Sequence, residues 1–190
     1  MGRSRYRGRR RGGGLTYEWS QSAACQGILF RRGARLIRSI RRHLMSAQAW
    51  SDQQFEEMSW HDNHVHALRV VEGLHGAGEL QLDLDYILEW VQCEGDSCEF
   101  KIVPATLIFK GVTNLRVSLD YATPTAALGP FSIQAIERRT ERRERYEAQL
   151  WKIVVNWPVG EISFEADGFE QRATGEPVLS AAMSLSASSR

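Results

Sequence analysis

The densest group of chemistry-bearing side chains in the sequence lies between Trp60 and His66. This segment reads Trp-His-Asp-Asn-His-Val-His and contains three of the five histidines of the chain. On a β-strand, side chains two positions apart point to the same face. His64 and His66 would then lie about 6–7 Å apart and could share a metal ion, with Asp62 on the same side. One hypothesis is therefore a small metal-dependent enzyme whose ligands come from this segment.

The same segment also has a purely structural interpretation. Polar side chains often stand where a strand begins, and His61 or Asp62 can cap the turn before it. Cupin metal sites place a Glu three or four residues after a His-x-His pair, whereas here the next acid, Glu72, follows His66 by six positions and no second histidine motif appears. The sequence favours this structural interpretation, and we expect no cofactor.

A second candidate site is an acidic row around Asp83 and Asp85. Both alternate with leucines, so we expect them on the exposed outer face of a strand, together with Glu79 and Gln81. Paired carboxylates can perform acid/base chemistry when burial separates their pKa values. An exposed strand face needs polar residues in any case, and contact with a basic protein partner is the simpler role.

The cysteines do not suggest a disulfide framework. Their count is odd, and Cys25 stands far from Cys93 and Cys98. Cys93 and Cys98 flank a four-residue loop and could face each other across a hairpin, but two ligands are too few for a metal. We expect free thiols and a reducing, cytoplasmic location. No apolar run approaches the roughly 20 residues that span a bilayer.

The charge divides the chain into two parts. Residues 1–44 carry twelve Arg and one Glu, a net charge of +11, and because the whole chain carries +1, residues 45–190 carry −10. The Arg/Gly-rich leader is expected to be largely disordered, with a basic amphipathic helix over residues 28–44. One interpretation is that this leader is a wrongly assigned start or a non-native extension. The other is that any nucleic acid binds through it. Residues 45–190 are expected to form a single β-rich domain.

Apolar and polar residues alternate through most of the second part, and this pattern predicts strands. The clearest strand covers residues 78–90, with Leu80, Leu82 and Leu84 facing inward. The segment of residues 150–157 places Trp151 and Trp157 on one buried face. The other expected strands are 65–72, 98–109, 112–121, 131–136, 161–166 and 169–172, with a further one possible within 175–185.

Three segments carry few apolar residues or a structure breaker. Ser51 or Asp52 can cap a short polar helix that plugs one end of the sheet. Residues 137–149 are highly charged and form either a solvated helix or an extended hairpin tip. Pro104 places its strand at an edge or a bulge. Strands at this spacing, without helical patterns between them, predict a mainly β fold: an antiparallel β-sandwich or open barrel with one or two short helices.

Three pieces of sequence carry a family resemblance: Trp60-His-Asp-x-x-Val65, Gly78-Glu-Leu-x-Leu-Asp-Leu-Asp-Tyr and Asn156-Trp-Pro-Val-Gly-Glu-Ile-Ser-Phe164. In these the chain resembles small uncharacterised bacterial β-rich proteins, some of which are thought to be immunity proteins of polymorphic toxin systems. The resemblance implies a non-catalytic cytoplasmic protein that binds a protein partner. The leading hypothesis is therefore partner binding, with the metal-dependent enzyme as the alternative. The candidate contact residues are Trp60, His61, Asp62, Asp83 and Asp85.

Overall fold

The computed structural model describes residues 49–94, 97–122 and 127–190, and within these it leaves out the side chains of residues 92–94 and 97. The predictions for residues 1–44 lie outside this description. So do residues 123–126, the first half of the loop expected over residues 123–130. No helix within the described ranges is long and apolar enough to cross a membrane.

Strands make up most of the described chain, and helices contribute only two short 3-10 turns. The mainly β fold class is therefore confirmed. The strands are β1 Ala49–Ser51, β2 His64–Glu72, β3 Gly78–Glu94, β4 Ser97–Leu119, β5 Phe131–Arg142, β6 Glu147–Trp157, β7 Gly160–Glu165, β8 Gly168–Ala173 and β9 Val178–Ser180; the 3-10 helices are η1 Asp52–Glu57 and η2 Ala187–Ser189.

All the strand pairings are antiparallel, and six strands close on themselves. The ring runs β4-β3-β2-β5-β6-β7 and returns to β4, with β8 and β9 paired to β4 outside it and β1 paired to β8. The link between β2 and β5 is the shortest in the ring, with His64 opposite Ser132 and Val65 opposite Phe131. The sheet therefore forms a barrel rather than a sandwich.

A single 23-residue strand, β4, replaces the two strands expected over residues 98–109 and 112–121. Gly111 and Asn114 adopt positive φ angles of 66° and 54°, and the pairing with β7 shifts register between Thr113 and Arg116. A Cβ at position 111 would collide with the Asp167 carboxylate, and the positive φ angle also favours glycine there. The strand bends at the expected break but continues to pair.

The barrel interior contains most of the predicted core. Leu80, Leu82 and Leu84 are fully buried, and Trp151 is nearly so. The prediction for Trp157 is wrong, because this side chain is 41% exposed. Trp157 is the last residue of β6, where the strand leaves the barrel and turns into β7, so the core no longer covers it.

The charged segment of residues 137–149 forms the hairpin tip, not the helix. β5 continues through Arg142, β6 begins at Glu147, and the Arg143 amide donates to the Tyr146 carbonyl across the turn. Cross-strand pairing supplies the backbone hydrogen bonds that a helix would otherwise provide. The prediction that this segment could form a solvated helix is therefore wrong.

The helix expected after Ser51 is present as η1, in 3-10 form. The Ser51 hydroxyl accepts a hydrogen bond from the Gln53 backbone N–H, and the Ser51 backbone N–H donates one to Oε1 of Gln54. Phe55 packs against the core, and the Arg138 guanidinium lies 4.5 Å from the centre of its ring. The expected short helix is therefore present, and it packs against the core through Phe55.

Three smaller expectations met different outcomes. Pro104 lies on β4 between the residues that pair with β9 and those that pair with β8. Its carbonyl oxygen accepts a hydrogen bond from the Thr174 backbone N–H. Its missing N–H therefore removes no hydrogen bond between paired strands. Of residues 175–185, only Val178–Ser180 forms a strand. Cys98 is disulfide-bonded, so the expectation of a free thiol is wrong at this position.

Replacement of Leu82 by Ala should lower the free energy of unfolding by about 2–5 kcal/mol, because a fully buried side chain leaves a cavity. Leu74 is the matched control, since it is 82% exposed in the β2–β3 turn, and Leu74→Ala should change stability by no more than about 0.5 kcal/mol. Urea denaturation of both variants measures the difference. Equal losses would show that the burial pattern is wrong.

Candidate functional site

A second layer covers the outer face of β3 and β4. Ile87, Phe100, Ile102 and Leu185 form a buried apolar cluster there, separate from the barrel core. The sequence predicts that residues 186–190 fray, but the Arg190 side chain binds Asp83 and Asp85 on β3. The outer face of β3 is therefore not the exposed surface that its polar residues suggest.

Asp85 is the polar centre of this layer, and its side chain is 0% exposed. Its Oδ2 accepts from the Leu185 amide at 2.7 Å and lies 2.8 Å from Nε2 of His66. Its Oδ1 accepts from Nε of Arg190 at 2.9 Å, and Nη2 of Arg190 also donates to Asp83 at 2.7 Å. The prediction of an exposed position is therefore wrong for Asp85, which is fully buried, whereas Asp83 is partly exposed. Both carboxylates bind Arg190, and Asp85 also binds the Leu185 backbone N–H.

The two candidate metal-ligating histidines make separate contacts. His66 contacts Asp85, whereas Nδ1 of His64 lies 3.1 Å from the carbonyl oxygen of Asp62. An extra residue on β2 between Val65 and Ala67 shifts the register with β3 near His66. In the parts of the chain that the structure describes, no three His, Cys, Asp or Glu side chains are grouped to hold a metal ion. A metal-dependent enzyme would require these histidines to converge on one point, and within the described residues they do not.

Asp62 organises the turn that leads into β2. Its φ angle is 62°, a conformation that Asp tolerates better than most residues. Its Oδ2 lies 2.8 Å from Nδ1 of His61, and its Oδ1 accepts from the side-chain Nδ2 of Asn156 at 3.1 Å. The Ser132 hydroxyl donates to the same Asn156 side chain. The network fixes the position of His61, as the structural interpretation of this segment requires.

Trp60 is a core residue and not a contact residue. Only 4% of it is exposed, and its indole N–H donates to Oε1 of Gln171 at 2.9 Å. Its ring packs against Phe55 and Phe169 at centroid distances of 5.6 Å and 5.5 Å. Trp60 therefore packs in the core directly before the turn at residues 61–62.

Next to this turn lies a pocket of about 300 Å³, which we call the Trp50–Trp90 pocket. It is bounded by β1, the residues that follow η1, and the stretch of β3 from residue 86 to residue 90. Its volume is at the lower end of the range for binding sites, roughly 300–1,000 Å³. Its aromatic lining residues are Trp50, Tyr86 and Trp90, and its ionisable lining residues include Glu57, His61 and Glu89.

The pocket walls are firmly supported. The rings of Trp50 and Tyr86 pack at 5.4 Å, and those of Trp90 and Phe100 pack edge to face at 4.9 Å. Trp90 is nevertheless 49% exposed, so a large aromatic surface remains open to solvent beside the pocket. Of these residues only His61 is a candidate on the basis of sequence, because Trp50 and residues 86–90 are distant in the chain and only the sheet brings them together.

Burial raises the pKa of the Tyr86 hydroxyl to about 12, although a backbone hydrogen bond with Ser59 acts in the opposite direction. Tyr86 is therefore neutral at physiological pH. The exposed carboxylate of Glu57 supplies negative charge at the same pocket. Aromatic side chains next to a carboxylate suit the binding of a group that is partly apolar and positively charged.

Comparison of the chain with protein-family models and with curated proteins finds no match.

Asp85→Asn should lower the free energy of unfolding by about 3–5 kcal/mol, because it removes a fully buried charge that binds two partly buried partners, His66 and Arg190. Asp83→Asn is the control and should cost about 1 kcal/mol or less, since that carboxylate is partly exposed. Chemical denaturation gives the stabilities. Amide hydrogen exchange in residues 181–190 should accelerate in the Asp85 variant alone, and unchanged exchange would contradict the anchoring role.

Alkaline pH should destabilise the protein through Tyr86. Because the pKa in the folded state lies near 12 and the usual value is 10.0, the folded state holds this proton more tightly. The contribution of the protonated Tyr86 hydroxyl to the free energy of unfolding is intact below pH 10. It falls by about 2 kcal/mol as the pH rises toward 12. Tyr86→Phe removes the titrating group, so its unfolding free energy should fall less steeply over this interval. If the unfolding free energies of the unmodified chain and of Tyr86→Phe fell equally steeply, Tyr86 would not be the group responsible for the alkaline loss of stability.

Proposed function

We propose that the domain is a non-catalytic binding protein whose protein partner presents a basic surface to the Trp50–Trp90 pocket. The observation that supports this most strongly is the pocket itself, with three aromatic side chains and the exposed carboxylate of Glu57 in its lining. The histidines and aspartates that might have served catalysis are engaged in networks that hold the fold.

The exposed ring of Trp90 favours a protein partner. Tryptophan is among the residues that most often dominate the binding free energy of protein interfaces. The ring is already packed against Phe100, and Trp50 is already packed against Tyr86. Partner binding would therefore cost little conformational entropy, because the contact surface is formed before the partner arrives.

The net charge favours a basic partner. Residues 45–190 carry −10, and a surface of this sign attracts basic proteins and accelerates their association. A cytoplasmic role in neutralising a basic toxin, which the resemblance to toxin-immunity proteins implies, matches this charge. Neutralisation requires only that the domain occupy the toxin, so it needs no reaction at the pocket.

Two variants test the proposal. Trp90→Ala removes the exposed aromatic ring, and Glu57→Lys reverses the charge of an exposed side chain on the same pocket. The partner is first captured from the native host with the unmodified chain and purified, and its affinity for each variant is then measured by calorimetry. We expect each variant to bind at least about tenfold more weakly, as for residues that dominate an interface.

Leu128→Ala is the control for this experiment, because Leu128 is 91% exposed and does not line the pocket. This variant should bind like the unmodified chain. Thermal melts of all three variants check that the fold is retained. If Trp90→Ala and Glu57→Lys both bind with unchanged affinity, the partner docks elsewhere and the proposal fails.

A further inference from the structure

We propose that a second copy of this chain pairs with the free edge of β2, antiparallel to it and with Val70 of one chain opposite Val70 of the other. The surface concerned is the side of residues 66–72 that faces away from β3, which we call the β2 edge. None of these residues lines the Trp50–Trp90 pocket, so the inference goes beyond the proposed function and does not depend on it.

The β2 edge has unpaired backbone groups. β2 pairs with β5 only at His64 and Val65, whereas its pairing with β3 continues to Glu72. In the described parts of the chain, no other strand pairs with β2 on that side beyond Val65. Every second residue of such a strand directs its backbone N–H and C=O away from its only neighbour. These groups are left to water or to another extended backbone, which is the ligand that their chemistry selects.

Apolar side chains on the core face of β2 also lack a complete cover. Val70 lies opposite Leu80, which is fully buried, and yet Val70 is 64% exposed. Leu68 lies opposite the fully buried Leu82 and is itself only partly buried. Residues directly opposite each other in an antiparallel pair point to the same face of the sheet. A further strand on the β2 edge would therefore cover part of both side chains, and their burial would stabilise the pairing.

The sequence of β2 permits association where that of β5 opposes it. Proteins protect strand edges with charges, proline or bulges. In β5, five of the six residues 137–142 are charged. In β2, the register shift with β3 comes before residue 67, and four of the six residues 67–72 are apolar, with no Pro or Lys among them. Of the two edges, β2 is therefore the one suited to strand pairing.

The charges on the other face of β2 point to a second copy as the occupant. With Val70 opposite its copy, Arg69 of the second copy lies opposite Val71, and Val71 lies opposite Glu79 on β3. The apolar stem of that arginine can lie along Val71 while its guanidinium reaches the Glu79 carboxylate. Glu79 accepts a hydrogen bond from Gln81, but neither Glu79 nor Arg69 has an ion-pair partner among the described residues. Two-fold symmetry forms this contact twice.

The charges also select the register. A two-fold axis perpendicular to an antiparallel pair places one residue opposite its own copy. If that residue were Arg69 or Glu72, two like charges would lie directly opposite each other, which is destabilising. If it were Val71, the row would run from Glu79 to Glu79 of the second copy without a cation. Among registers centred on residues 69–72, only the one centred on Val70 places Arg69 and Glu79 in the same row.

Analytical ultracentrifugation of the full-length chain at micromolar concentrations tests the inference, and we expect a monomer–dimer equilibrium. Val70→Lys alters an exposed side chain, so the single chain should fold, but in the dimer two ammonium groups would lie opposite each other. This variant should dimerise at least about tenfold more weakly. Val159→Lys is the matched control, because Val159 is 70% exposed in the β6–β7 turn and does not belong to the β2 edge. It should dimerise like the unmodified chain.

Exchange of the two charges tests the register. Arg69→Glu and Glu79→Arg should each weaken the dimer severalfold, because each places like charges in the same row. The double variant restores opposite charges and should recover most of the affinity of the unmodified chain. Thermal melts check that every variant is folded.

Three results would overturn the inference. If the unmodified chain stays monomeric, the β2 edge is open to an extended segment of a different protein instead. If Val70→Lys dimerises as strongly as the unmodified chain, the copies associate through another surface. If the double variant is no stronger a dimer than the two single variants, Arg69 and Glu79 do not meet across Val71 and the register is wrong.

Discussion

Continuous backbone pairing along β4 is the constraint on which the rest of the described sheet depends. One edge of this strand pairs with β3, and the other pairs in turn with β9, β8 and β7. Both aromatic walls of the pocket are held through it: Tyr86 and Trp90 lie on β3, and Trp50 lies on β1, which pairs with β8. A break in β4 would therefore separate the walls of the pocket as well as open the barrel.

Buried polar groups hold the parts that the backbone pairing does not reach. Asp85 joins the second layer to β3 through hydrogen bonds to His66, Leu185 and Arg190, and Asp62 joins the turn before β2 to β6 through Asn156. Each carboxylate is satisfied by several donors, which is the condition under which a buried or half-buried charge can be stable. The residues with the most suggestive chemistry in the sequence thus stabilise the fold, and they position the pocket indirectly.

The sequence predicted the fold class, most strand positions and the leucine core, because alternation reports which face of a strand is buried. It could not show that the outer face near Asp85 is also covered. One signal was available, since Ile87 continues the outer row of Asp83 and Asp85 with an apolar residue, and an apolar residue there indicates a covering layer. The pocket could not be predicted at all. Trp50 and Tyr86 are 36 positions apart, and their contact depends on a strand order that alternation does not specify.

Hydrogen exchange of the purified complex with its partner tests the central claim most directly. If the partner docks on the Trp50–Trp90 pocket, amides in residues 50–61 and 86–90 should exchange more slowly in the complex than in the free chain. Amides of the β2–β3 turn around Leu74 and of the β6–β7 turn around Val159 should be unaffected. Protection confined to either of those turns, with unchanged exchange around Trp50 and Trp90, would contradict the account.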